Sequence, residues 1–165
     1  MPTIILMRHA NAEPASAGMR DFDRPLSKAG WAETLVSANL LKATGLEPTK
    51  MFCSPARRTS ETMAGIRRII PINDNIISQP QELYSGEVAA YQGVLNSVSA
   101  DDICMFIGHN PMVERFAFQL AASGDKSTLN KLSLGFPTAT IAVVTLAGDF
   151  SPINPQGYLL HFLTA

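Results

Sequence analysis

Two five-residue stretches, TIILM at 3–7 and ICMFI at 103–107, are apolar at nearly every consecutive position. A strand with one wet face would alternate apolar and polar residues. These do not, so both faces of each must be covered. Strands of that kind sit inside a mostly parallel sheet between two helical layers. KMFC (50–53) is a shorter third candidate strand, and NIIS (75–78) a weaker fourth. TIAVVTL (140–146) and YLLHFL (158–163) flank a Pro- and Gly-containing loop, AGDFSPINPQG, and read as a closing antiparallel pair at the sheet's edge.

Helical signals fill the intervals. Ser27 is a good N-cap, Trp31, Leu35 and Ala38 recur on one face, and Gly45 stands where a C-terminal glycine belongs. A second helix is expected from Ser54 as cap, with Pro55 in the first helical position. A third covers roughly 87–98, with Val88, Tyr91, Leu95 and Val98 at helical spacing. A fourth follows the cap Asn110 and Pro111, its apolar stripe being Val113, Phe116, Ala117, Leu120 and Ala121. The chain's 165 residues suffice for one well-cored domain, and no shift in composition divides them. The expectation is a single α/β domain over 1–165, a three-layer α/β/α sandwich with a mostly parallel sheet.

The net charge of −1 provides no global field for nucleic acid or a membrane surface, so neither is expected as a partner. Any anion site must be made locally, by a few placed cations. The apolar stretch from Ile4 to Met7 is too short for a signal peptide, and the weakly polar run at 138–147 is about half a membrane span. A cytoplasmic protein is expected. Cys53 and Cys104 lie far apart in apolar surroundings, which suits buried reduced thiols better than a disulfide or a metal site.

Three strand-to-helix junctions share one design. The first strand ends in Arg8-His9, the second runs into Ser54-Pro55-Ala56-Arg57, and the 103–107 strand ends in Gly108-His109. Parallel sheets hold their ligands outside the carboxyl ends of the strands, where helix N-termini offer free N–H groups. Arg8, His9, Arg57 and His109 would converge on that edge. Two arginines with two histidines favour a compact, highly charged anion, and phosphate fits the arginine fork best. Each residue alone has an ordinary structural reading, and His161, inside YLLHFL, keeps it.

Two rival chemistries fail on the same residues. A cysteine phosphatase built on CSPARR would need an arginine six positions after the nucleophile and a glycine in its loop. Position 59 is Thr59, and the loop has no glycine. A metal held by His9 and His109 would be repelled by Arg8 and Arg57 and would lack carboxylate ligands, so no metal is expected.

Taken in order, LMRHANAE, DRPLSKAG, CSPARRTSET, IGHNP and FPTATIAVV resemble the histidine phosphatase superfamily, and within it the small phosphohistidine phosphatases of the SixA type. The likeness runs from residue 5 to about 144. It implies a phosphoglycerate mutase-like sandwich with His9 as nucleophile. Arg8 and Arg57 would bind the phosphoryl oxygens, and His109 would complete the pocket. A phosphohistidine-bearing partner such as a phosphotransfer domain, no cofactor and a monomer are expected. The short chain suits the SixA type better than the larger mutases, which carry an inserted lid. Two departures stand out. Ala10 replaces the usual glycine after the first histidine. No residue matches the larger relatives' general acid securely, Glu82 and Glu87 in PQELYSGE being the candidates.

An alkoxide leaving group needs a proton, and an ester hydrolase without an acid loses roughly 10² to 10⁴ in rate. A protonated imidazole departs neutral and does not. The expected function is therefore a phosphohistidine phosphatase working through a covalent phosphohistidine. The alternatives are a phosphatase of small phosphomonoesters and a non-catalytic phosphoprotein-binding module, the latter opposed by the intact pair His9 and His109.

Overall fold

The structure, a computed structural model, describes residues 1–147, 151, 154 and 156–165. Its elements follow in the order β1 (Thr3–Arg8), α1 (Lys28–Ala43), β2 (Lys50–Cys53), α2 (Arg57–Arg67), β3 (Ile77–Ser78), α3 (Glu82–Ser85), α4 (Val88–Leu95), β4 (Ile103–Gly108), α5 (Met112–Leu120), β5 (Ala121–Gly124), α6 (Lys126–Ser133), β6 (Ile141–Thr145) and β7 (Gly157–Leu163). The strands form one sheet in the order β3-β2-β4-β1-β6-β7-β5. β1, β2, β3 and β4 run parallel, while β6 is antiparallel to both β1 and β7.

The central strand shows why this sequence makes this sheet. Ile4, Ile5, Leu6 and Met7 are all fully buried, which at about 1.5–3 kcal/mol per side chain is a gross gain of roughly 6–12 kcal/mol. Successive side chains point to opposite faces. Ile4 and Leu6 join Phe106, Phe116, Tyr91 and Val144 on one side, packed under α4, α5 and α6. Ile5 and Met7 join Met51, Ile107, Leu41 and Ile66 on the other, under α1 and α2. The three layers expected from the unbroken apolar runs are present, each face of the sheet carrying its own core.

Four sequence expectations need correction. The antiparallel pair β6–β7 exists, but β7 is not the edge: Ala121–Gly124 leaves the helix and adds the outermost strand, parallel to β7. Gly124 lies so close to Leu159 that an added Cβ would stand 3.0 Å from its carbonyl oxygen, a strand-to-strand approach that small residues permit. Ala121, read as the end of the fourth helix's apolar stripe, is therefore the first residue of β5, and α5 stops at Leu120. The expected fourth strand 75–78 contracts to Ile77–Ser78 behind a 3₁₀ turn at Asp74–Ile76. The third helix spans Val88–Leu95 and is preceded by the separate turn α3. Most of the loop AGDFSPINPQG lies outside the described residues. Cys53 and Cys104 are buried and unbridged, as expected. Burial pushes their thiols up, to about 12 and about 11 respectively. Among the described residues no helix is long and apolar enough to cross a membrane.

Candidate active site

The parallel registers place the carboxyl ends of three adjacent strands level. Arg8 pairs with Gly108 across β1–β4, and Cys53 pairs with Ile107 across β2–β4. The backbone continues the pairing one step beyond the strands. His9 N–H donates to Gly108 O at 3.0 Å, and Ser54 N–H to Ile107 O at 3.0 Å. His9 and His109 consequently face each other with ring centroids 5.3 Å apart. An added Cβ on Gly108 would collide with the Tyr91 hydroxyl, so only glycine lets the strand end this close to α4.

The loop after β1 fixes the tautomer of His9. Its Nδ1 lies 2.8 Å from Ala10 O, which can only accept, so Nδ1 carries the proton and Nε2 the lone pair. Ala10 N–H is in turn held by Thr62 Oγ1 at 3.0 Å. Burial pushes the imidazole down to about 4, with the cations Arg58 and Arg8 adding to the effect against the Ala10 hydrogen bond. His9 is thus neutral at pH 7. His109 is pushed further, to about 3, by burial first and then by Arg58 and His9. Its Nε2 is 2.7 Å from Ser54 Oγ, while its buried Nδ1 has no partner.

The arginines divide differently from the sequence expectation. Arg8 is in the site: its Nη1 donates to Phe136 O at 3.0 Å, and its buried Nε is unpartnered. Burial lowers its guanidinium, with Glu114 and Glu33 pulling it back up. Arg57 is not in the site. Its Nε donates to Glu61 at 2.7 Å on the outer face of α2, and its side chain is 55% exposed. Arg58 takes the place assigned to it, with Nε donating to His9 Nε2 at 3.3 Å and a side chain only 8% exposed. The cause is where α2 begins. The Ser54 hydroxyl engages His109 instead of capping the helix, α2 starts at Arg57, and the next residue, about 100° round, faces inward. The spacing Arg58, Thr62, Ile66 is the sign that sequence reasoning overlooked, since all three are buried. The fourth expected helix, α5, likewise starts later than its expected cap. Asn110 donates to Phe136 O at 3.1 Å, and Pro111 occupies the cap position of α5.

Sequence reasoning also missed the loop before α1. Arg58 donates through Nη1 to Asp21 O at 2.8 Å and through Nη2 to Asp21 Oδ2 at 3.1 Å. Tyr84 Oη donates to the same oxygen at 3.2 Å, and Arg24 Nη1 to Oδ1 at 3.0 Å. Desolvation raises the Asp21 carboxyl, but the hydrogen bonds and charges of Arg24 and Arg58 outweigh it and hold the group below the usual carboxylate range. Tyr84 packs edge-on against His109, 5.7 Å between centroids, and against Phe22 at 4.9 Å. Glu82 and Glu87 are exposed, and neither side chain is hydrogen-bonded to a site residue. Among the described residues no group of three or more His, Cys, Asp or Glu is arranged for a metal.

No protein-family model matched the chain. An uncharacterized chloroplastic protein of Arabidopsis thaliana is 30% identical over 98% of this chain and 77% of its own length. Phosphohistidine phosphatase SixA of Escherichia coli K12 is 26% identical over 87% of this chain and 84% of its own. Among solved structures, a candidate phosphohistidine phosphatase SixA from Agrobacterium tumefaciens superposes with a TM-score of 0.84 at 28% identity, covering 99% of this chain and 97% of that one. A neutral histidine between two arginines, on a sheet of this topology, now has its family: the chain belongs to the histidine phosphatase superfamily, with its phosphoglycerate mutase-like fold. Within that class of phosphatase hydrolases it is SixA-like.

Proposed function

We propose that the protein is a metal-independent phosphohistidine phosphatase acting through a phosphorylated His9. One observation carries this reading above the others. The Ala10 carbonyl fixes the His9 tautomer and so directs a lone pair at Nε2 into a site where Arg8 Nε and His109 Nδ1 have no partner. Nε2 attacks phosphorus in line, and the bond to the leaving group breaks with its electron pair going to that group. Arg8 Nε and Arg58 lie where they can hold the phosphoryl oxygens, and His109 takes up a proton as the dianion arrives. These charges supply the positioning and electrostatic stabilisation that phosphoryl transfer asks of a protein. Arg58 lets go of Nε2 to admit phosphorus, an exchange of one hydrogen bond for stronger ones to an anion. Water then attacks the phosphoenzyme and releases phosphate.

Asp21 is held ionised and Glu82 and Glu87 stand apart, so none of these three carboxyl groups is in place to protonate an alkoxide. That favours phosphorylated imidazole, on a protein such as a phosphotransfer domain, over phosphomonoesters. The test measures phosphate release from a phosphohistidine-bearing protein and from p-nitrophenyl phosphate, with wild type and His9→Ala side by side. It also looks for acid-labile phosphate on the protein. Fast, His9-dependent turnover of the phosphohistidine with slow ester turnover is expected. Faster ester turnover would make this a small-molecule phosphatase, and phosphate bound without turnover of either substrate would make it a binding module.

A further inference from the structure

Beside the phosphoryl site lies a cavity of about 420 Å³ lined by Arg20, Asp21, Phe22, Gln81 and Tyr84. It adjoins the site at two points, through Tyr84 packed on His109 and through Asp21 bound to Arg58. Its aromatic walls, Phe22 and Tyr84, meet edge to face at 84°. Arg20 is paired to Asp23 at 2.7 Å and lies over the Phe22 ring, so its charge is already matched. Asp21 accepts three side-chain hydrogen bonds, from Arg24, Arg58 and Tyr84. A carboxylate has about four acceptor positions, and this one is 53% exposed. It has room for one more donor.

We infer that this cavity is the leaving-group subsite and that it selects a protonated imidazole ring. Asp21 accepts the N–H of the ring nitrogen that does not carry phosphorus, and Phe22 and Tyr84 flank the ring. The inference rests on the phosphohistidine reading above. It also accounts for a site in which none of Asp21, Glu82 and Glu87 serves as an acid. In the transfer step the bond from His9 Nε2 to phosphorus forms as the substrate's N–P bond breaks. The electron pair of that bond returns to the ring nitrogen, and the proton facing Asp21 stays on the other. A cationic phosphoimidazole thus departs as neutral imidazole with no proton delivered. An ester's leaving oxygen gains nothing from the same carboxylate, because it would depart as an anion beside an anion.

The test compares kcat/KM for phosphoimidazole and for p-nitrophenyl phosphate in wild type, Asp21→Asn, Phe22→Leu and Tyr84→Leu. A hydrogen bond to a charged group is worth about 1.5–3 kcal/mol, or roughly 10- to 100-fold. Asp21→Asn keeps an oxygen for Arg58, so the phosphoimidazole value should fall by about that factor and the ester value by less than about threefold. Phe22→Leu leaves Asp21 in place and Tyr84→Leu removes one of its three donors; both should lower the phosphoimidazole-to-ester ratio by about 3- to 10-fold, as lost aromatic contact does. Equal losses on both substrates would make Asp21 only a support for Arg58 and overturn the subsite. An unchanged ratio in all three variants would overturn it too. A wild type that turns over the ester but neither phosphoimidazole nor a phosphohistidine protein would instead overturn the phosphohistidine reading itself.

Discussion

Two half-buried neutral histidines at one sheet edge make the fold sensitive to mild acid in a window that can be calculated. His9 and His109 titrate at about 4 and about 3 in the folded protein, against about 6.5 when unfolded. The folded values are depressed, so below pH 6.5 the unfolded chain takes up protons that the native site refuses. Stability therefore falls as pH drops from 6.5 towards 4. Each refused proton costs about 1.4 kcal/mol per pH unit. From pH 6.5 to 5 the pair loses about 3–4 kcal/mol, a large part of a typical 5–15 kcal/mol. The carboxylates held low, Asp21, Asp23 and Asp102, lose their contribution only below about pH 4, so they leave this window alone. With a urea slope near 2 kcal/mol per M, the midpoint should move down by about 1.5–2 M between pH 6.5 and 5. The assay is urea unfolding by circular dichroism at half-unit pH steps, for wild type and for His9→Gln with His109→Gln. The double variant should lose most of the slope. Orthophosphate should restore more stability at pH 5–6 in wild type than in the double variant, because a bound phosphate anion favours protonation of the two rings. The same slope in both proteins would refute the reasoning.

The neighbouring arginines give a paired prediction. Arg58→Ala should lower kcat/KM by about 10²–10³, the usual cost of a transition-state donor, while Arg57→Ala should stay within about twofold in the same steady-state assay. Gly108→Ala should destabilise by about 1–3 kcal/mol through its collision with Tyr91, and Gly108→Ala with Tyr91→Phe should recover part of that loss in thermal unfolding. Glu82→Gln and Glu87→Gln should leave turnover of either substrate class within about twofold. A large loss on the ester would show a general acid that the structure does not place in the site.

Much of this molecule is written in local patterns. The unbroken runs in β1 and β4 state that both faces are covered, and the polar residues at their ends mark where the sheet stops. His9, His109 and Arg8 were legible because each directly follows or closes a strand. Arg57 and Arg58 were separable only by knowing the start of α2, since one residue turns the helix by about 100°. The decisive contact there, Ser54 with His109, joins residues 55 positions apart. Asp21 was out of reach for the same reason. It sits in a 3₁₀ turn at Asp21–Asp23 whose position depends on long-range bonds to Arg58 and Tyr84. The break into β5 was hidden because AASG has small residues that suit a helix end as well as an edge strand.

The acceptor that orients His9 is the peptide carbonyl of Ala10. No codon change can delete a main-chain oxygen, so the His9 tautomer is shielded from most single mutations. Side-chain vulnerability passes to Thr62, which pins the Ala10 N–H from α2. The residue at position 10 can therefore change its side chain while the Nε2 lone pair of His9 keeps its direction.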